Sequence, residues 1–146
     1  CHSSYSELES TEVHREMLTA QDMVAKAKET ISEVSVPELA QSLDQGKDIV
    51  LIDIREPAEF EQGHLPGAVN IPRGVLEFQV AAHPALACEV TAPELAQRDR
   101  EICLYCRSGG RSALAALSLE QMGFRRVSSL AGGFLDWKAH DLPTQS

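Results

Sequence analysis

The stretch that most constrains the fold is a short apolar strand followed at once by a polar loop and a helix. The apolar run Ile102-Cys-Leu-Tyr105 predicts a buried strand, and Cys106 follows it directly. The loop Arg107-Ser-Gly-Gly-Arg111 comes next, and Ser112 then opens a run of alanine and leucine that is typical of a helix. A strand that passes into a helix through a short loop is the repeating unit of α/β proteins.

The rest of the chain repeats this alternation of strand and helix. Further short strands are predicted over residues 32–35, 49–54, 68–71 and 126–130. Helices are predicted over about 35–43, 56–62, 73–80 and 112–122, with another short one after a capping signal at 91–94 and a last one after 132. The alternation predicts an α/β fold with a mostly parallel sheet.

The chain divides into two predicted parts. Residues 1–31 form a polar tail and a helical arm, and residues 32–146 form one α/β domain. Thr19-Ala-Gln-Asp22 resembles a capping box that can restart the helix within the arm. The arm has two open roles, because its apolar face can cap the sheet or supply the contacts of a homodimer. That face is formed by Met23, Val24, Ala27 and Ile31.

Charge and hydrophobicity exclude several classes of partner. The net charge is −9 and basic residues form no run, so neither a nucleic acid nor an anionic membrane surface is expected as a partner. No apolar stretch approaches the roughly 18 residues of a transmembrane helix, and none is predicted.

The cysteines bear on the compartment. Four cysteines give no regular disulfide framework, and a chain of 146 residues needs no disulfide for stability, which favours the cytoplasm. The alternative follows from Cys1, because a mature bacterial lipoprotein begins with a lipidated cysteine and a polar tether. The protein would then be periplasmic and anchored through Cys1. The other open interpretation is that Cys1 is only the point at which a longer sequence was truncated.

The segment Cys106–Ser112, called the Cys106 loop below, is the predicted reactive site. Its glycines let successive backbone N–H groups point inward, and the helix that follows adds partial positive charge at its N-terminus. A cysteine held there should ionise readily, and the thiolate is the reactive form. Ligand sites of parallel sheets lie at the carboxyl ends of strands, where Cys106 is predicted to be. The candidate binding residues are Arg107, Ser108, Gly109, Gly110, Arg111 and Ser112.

Cys103 and Cys106 form a C-x-x-C pair that could indicate redox or metal chemistry. Side chains three residues apart on a strand face opposite sides of the sheet, so Cys103 is predicted to be a core residue. A single C-x-x-C is also a weak zinc signal, and we expect neither a metal nor a cofactor.

Three motifs together resemble the rhodanese-like domain family of single-domain sulfurtransferases. Ile52-Asp53-Ile-Arg55-Glu-Pro-Ala-Glu-Phe-Glu-Gln-Gly-His64-Leu-Pro-Gly-Ala-Val-Asn-Ile71 is similar to the family's N-terminal signature. Gly132-Gly-Phe-Leu-Asp-Trp137 is similar to its C-terminal signature, and the Cys106 loop resembles its active-site loop. The resemblance covers roughly residues 33–142. It implies a central, mostly parallel five-stranded sheet with helices on both faces.

The resemblance also implies a reaction. Cys106 would take a sulfane sulfur from thiosulfate or a persulfide, hold it as a persulfide, and pass it to cyanide or a thiol. A small anionic donor, such an acceptor and a sulfur-carrier protein are the partners it implies. Arg107 and Arg111 would orient the donor.

The remaining roles are less direct. Asp53 and Arg55 lie at the end of the strand predicted over 49–54, at the edge where the loop should lie. The resemblance implies a supporting role for them, in which Asp53 bonds loop amides or an arginine. Arg73 ends a neighbouring strand and is a candidate for substrate binding. His64 is predicted to fix a turn rather than to act in catalysis.

Two other functions stay open. Cysteine phosphatases and arsenate reductases use a similar loop, but with five residues between cysteine and arginine, whereas four separate Cys106 from Arg111. A non-catalytic rhodanese-like binding or regulatory module commonly lacks the cysteine, which this chain keeps. The segment from Glu77 to Arg100 is expected to supply part of the rim of the site.

Overall fold

Five parallel strands form the centre of the fold. The computed structural model describes residues 18–80 and 100–146. Within them the strands run in the spatial order β1-β5-β4-β2-β3, and every pairing is parallel. Their bounds are β1 Ser32–Val34, β2 Val50–Asp53, β3 Val69–Asn70, β4 Glu101–Tyr105 and β5 Arg126–Leu130. The mostly parallel five-stranded sheet that the family resemblance implies is confirmed, since the sheet has five strands and is parallel throughout.

Helices connect the strands, and several begin at caps visible in the sequence. Thr19 and Ser35 each form a capping box, in which the side chain accepts from the backbone three residues later. These bonds satisfy amides that would otherwise lack a partner at a helix start. The bounds are α1 Ala20–Thr30, α2 Val36–Asp44, α3 Pro57–Gln62, α4 Leu76–Gln79, α5 Gly110–Gln121 and α6 Gly133–Ala139.

Two boundaries differ from the sequence prediction. The single helix expected over 73–80 is a 3₁₀ turn at Arg73–Val75 followed by the short helix α4. Helix α5 begins at Gly110, two residues before the predicted start at Ser112, because Gly109 serves as its N-cap. The helix expected after the signal at 91–94 lies outside the described residues.

The sheet is buried on both faces, as the apolar strands predict. One apolar cluster joins the sheet to α1, α4 and α5, and the other joins it to α2 and α6. Successive residues of β4 alternate between the clusters: Ile102 and Leu104 face the first, and Cys103 and Tyr105 the second. Helices therefore cover both faces of the sheet.

The arm helix α1 packs against α5. Ala27 is buried in the first cluster, and Val24 of α1 and Leu114 of α5 pack against that cluster. Helix α1 therefore covers one face of the domain, which is one of the two roles predicted for the arm. The division at residue 31 and the homodimer stay predictions. None of the helices in the described part of the chain is both long and apolar enough to span a membrane.

Candidate active site

The order of the strands places Cys106 at the carboxyl end of the central strand of the sheet. Strand β4 lies between β5 and β2, so the Cys106 loop emerges between the ends of two neighbouring strands. Cys106 is 1% exposed, and it belongs to the cluster that β4 shares with α5. The loop therefore folds over the thiol and passes directly into the N-terminus of α5.

Backbone N–H groups of the loop converge on the sulfur of Cys106. The amide of Gly109 lies 3.1 Å from Sγ, and the amide of Ser112 lies 3.4 Å from it. The Ser112 hydroxyl oxygen is 3.6 Å from the same atom. Gly109 has φ +103°, a conformation that favours glycine and turns its amide inward. The two amides stabilise the sulfur when it carries negative charge.

Helix α6 holds the backbone of the loop from the other side. The amide of Phe134 donates to the carbonyl oxygen of Cys106 at 2.8 Å, and that of Leu135 donates to Arg107 at 3.0 Å. Free amides of a helix N-terminus thus bind the first two carbonyls of the loop. No local sequence pattern predicts these contacts, although Gly132 and Gly133 lie where α6 begins next to the loop.

Arg107 and Lys138 face one cavity beside the loop. The cavity has a volume of about 380 Å³ and lies between α3 and α6. Both cationic side chains belong to exposed residues, and the carboxylate of Glu59 is also at the wall. Lys138 was not among the predicted site residues. The cavity offers two positive groups next to the loop that surrounds Cys106.

Two other predicted arginines pair with carboxylates. Arg111 Nη1 lies 3.5 Å from Glu59 Oε1, so its charge is partly compensated. Arg73 Nη1 lies 3.1 Å from Glu77 Oε2, four residues further along the chain. Ser108, Gly110 and Arg111 instead border a groove between the loop and α1.

Asp53 and Arg55 form a buried ion pair. Arg55 Nε and Nη2 donate to the Asp53 carboxylate at 2.7–3.0 Å, and Nη2 also donates to the Gly63 carbonyl at 2.6 Å. The guanidinium carbon lies 4.4 Å from the centre of the Phe134 ring. The pair therefore ties β2 to the end of α3 and to α6, and Arg55 also reaches the wall of the cavity.

Cys103 lies in the other core, as its strand position predicts. It is buried between the sheet and the helices α2 and α6, whereas Cys106 lies on the α5 side. Burial raises the pKa of the Cys103 thiol to about 12. Cys103 is thus held as a neutral thiol on the opposite face of the sheet from Cys106.

His64 contributes to a turn. Its ring stacks on Phe60 with 3.7 Å between centroids, and Nδ1 lies 3.0 Å from the Phe60 carbonyl oxygen. Its backbone pairs with Gln145 near the end of the chain. These contacts fix the connection between α3 and β3.

The family of the chain follows from a comparison of its sequence with those of known families. A sequence model described as the Rhodanese-like domain matches residues 35–140. The chain belongs to the rhodanese-like domain family. The family assignment made from three sequence motifs is thereby confirmed.

Relatives of this rhodanese-like chain carry sulfurtransferase names. A protein of Allochromatium vinosum named sulfurtransferase is 35% identical over 113 residues, which cover 77% of this chain and 94% of the relative. Thiosulfate sulfurtransferase 16, chloroplastic, of Arabidopsis thaliana is 37% identical over 98 residues, 65% of this chain and 78% of that one.

A solved structure with a different description has a similar fold. It is a protein of unknown function from Rhodopseudomonas palustris, described as a possible tyrosine phosphatase. The TM-score is 0.74 at 30% identity, with 88% of this chain and 96% of that chain covered.

Proposed function

We propose that this chain is a sulfurtransferase that carries a sulfane sulfur as a persulfide on Cys106. The observation that carries the proposal is the convergence of the Gly109 and Ser112 amides on Sγ, at 3.1 and 3.4 Å. Such amides favour the thiolate as attacking group, and afterwards they can bind the anionic persulfide. Two relatives are named as sulfurtransferases, which supports sulfur transfer as the reaction.

The first half-reaction is a displacement at sulfur. The Cys106 thiolate attacks the sulfane sulfur of thiosulfate, and a new bond forms between Sγ and that sulfur. The bond between the sulfane and sulfonate sulfurs breaks, and its electron pair leaves with sulfite. A cysteine that attacks as a thiolate needs no general base, which fits a set of sulfur contacts made of amides and a hydroxyl.

The second half-reaction regenerates the enzyme. A thiolate or cyanide acceptor attacks the terminal sulfur of the persulfide, and the bond from that sulfur to Sγ breaks. The electron pair returns to Cys106 as a thiolate held by the same amides. We propose that Arg107 and Lys138 attract the oxyanionic donor, because both face the cavity while Arg111 is paired with Glu59.

Sulfur loading tests the proposal directly. The protein is incubated with thiosulfate and separated from it, and its intact mass is measured by mass spectrometry. We expect the mass to increase by one sulfur atom. Cys106→Ser should abolish the gain, whereas the matched variant Cys103→Ser should keep it, since Cys103 lies on the other face of the sheet. Sulfur gained by Cys106→Ser would refute the assignment.

The donor is settled by a kinetic comparison. Thiosulfate, glutathione persulfide and a protein persulfide are offered in turn, with cyanide or a thiol as acceptor. If Cys106 is readily alkylated but the protein transfers sulfur from none of these donors, the chain would instead be a rhodanese-like binding module.

Phosphatase activity is the alternative raised by the solved structure from Rhodopseudomonas palustris. The four-residue spacing between Cys106 and Arg111 argues against it, because a shorter loop leaves less room for a tetrahedral phosphate. Hydrolysis of an aryl phosphate that is lost in Cys106→Ser, without sulfur loading, would favour that alternative.

A further inference from the structure

Ser129 is a polar residue buried directly behind the Cys106 loop. It is 0% exposed and lies in β5, next to Leu104 of β4 in the parallel register. Its Oγ lies 2.7 Å from Ser112 Oγ, which is a short hydrogen bond between two hydroxyls. Nothing in the strand pattern accounts for a hydroxyl here, because Val127 on the same face is part of the apolar core.

The direction of this hydrogen bond follows from the partners that are present. Among the described residues, the partner that the structure gives Ser129 Oγ is Ser112 Oγ. A buried hydroxyl whose proton has no acceptor loses roughly 1–3 kcal/mol. Ser129 therefore donates to Ser112, and Ser112 Oγ accepts.

Accepting this bond leaves the single proton of Ser112 free for another acceptor. Two atoms are within reach: the Gly109 carbonyl oxygen at 3.3 Å and Cys106 Sγ at 3.6 Å. The Gly109 carbonyl already accepts from the amide of Ala113 at 3.2 Å. When Cys106 carries a negative charge, the hydrogen bond to Sγ is the stronger choice because it is charge-assisted.

We propose that Ser129 is a positioning residue, which orients the Ser112 hydroxyl so that it donates to the anionic sulfur of Cys106. Hydrogen bonds in a chain polarise one another, so the bond from Ser129 also strengthens the bond from Ser112 to Sγ. The inference rests on the proposed function only in taking Cys106 as the reacting sulfur. Its readout is alkylation, so failure of sulfur transfer and failure of this proposal are distinguishable.

Charged groups around the sulfur lie outside this chain of hydroxyls. Arg107 and Arg111 belong to exposed positions of the loop, and Glu59 of α3 pairs with Arg111. Arg55, which is buried and follows β2 by two residues, forms an ion pair with Asp53. The variants below leave all of these charges in place, so a change in reactivity reports on the hydroxyls.

The test is the pH profile of Cys106 alkylation by iodoacetamide, read at Cys106 by fragment-ion mass spectrometry. Ser129→Ala should move the midpoint of the profile upward by about half a pH unit, a roughly threefold loss of rate below the midpoint. The matched control is Ser128→Ala, whose hydroxyl lies 3.5 Å from the Ile102 carbonyl oxygen and away from the loop. Its profile should equal that of the unmodified protein.

A double-mutant comparison separates positioning from a structural role. If Ser129 acts through Ser112, Ser129→Ala should shift the profile no further in a Ser112→Ala background. The pair Ser129→Thr and Ser129→Val has the same shape and differs only in the hydroxyl, so Thr should retain the profile and Val should shift it. An unshifted Val variant, an equal shift in the Ser112→Ala background, or an equal shift in Ser128→Ala would overturn the proposal.

Discussion

Gly133→Ala is the most informative single change, because Gly133 is where α6 meets the Cys106 loop. Gly133 has φ +61°, which costs a residue with a side chain about 1–2 kcal/mol. A Cβ added there would lie 2.6 Å from the carbonyl oxygens of both Cys106 and Arg107. Contacts that short force α6 away from the loop.

The magnitude follows from the bonds that this movement breaks. The amides of Phe134 and Leu135 donate to those same two carbonyl oxygens, at 2.8 and 3.0 Å. Each bond contributes about 1 kcal/mol net, which adds to the backbone strain. We expect Gly133→Ala to lower the free energy of unfolding by about 3–4 kcal/mol.

Gly46→Ala supplies the matched control. Gly46 has a similar φ of +78°, but an added Cβ meets nothing within 4 Å. It should therefore show the strain alone, about 1–2 kcal/mol. Urea unfolding measures both variants, and the rate of Cys106 alkylation should fall only in Gly133→Ala. Equal destabilisation by the two substitutions would refute the reasoning.

Two further predictions concern buried ionisable groups. Because the pKa of Cys103 is raised to about 12, the unfolded chain loses this proton first, so stability falls as pH rises above about 9. Between about pH 8 and pH 10.5, the free energy of unfolding of Cys103→Ala should fall by about 2 kcal/mol less than that of the unmodified protein, as measured by urea unfolding. An equal fall in the two proteins would contradict this prediction. Asp53→Asn leaves Arg55, 4% exposed, without its counter-charge and should cost about 3–5 kcal/mol in the same assay. Asp48→Asn changes a side chain that is 85% exposed and should alter the free energy of unfolding little. If it destabilised the protein as much as Asp53→Asn, the loss of the buried ion pair could not be the cause.

Much of the fold was predictable from local patterns. The continuous apolar run before Asp53 is a strand buried on both faces, and the capping boxes at Thr19 and Ser35 start helices as expected. These signals act over a few residues, so they need no knowledge of distant contacts. The split of 73–80 into a 3₁₀ turn and a short helix was missed, because such a choice depends on packing beyond the segment.

The local pattern of residues is enough to predict that Cys106 ends a buried strand and that a glycine-containing loop leads from it into a helix. It also placed Cys103 on the opposite face, because side chains alternate along a strand. Packing between distant segments brings Ser129 behind Ser112, α6 onto the loop carbonyls, and Glu59 to Arg111. These partners are far apart along the chain and meet because β4 lies between β5 and β2. Strand order, which no local pattern encodes, therefore decides what surrounds the reactive sulfur.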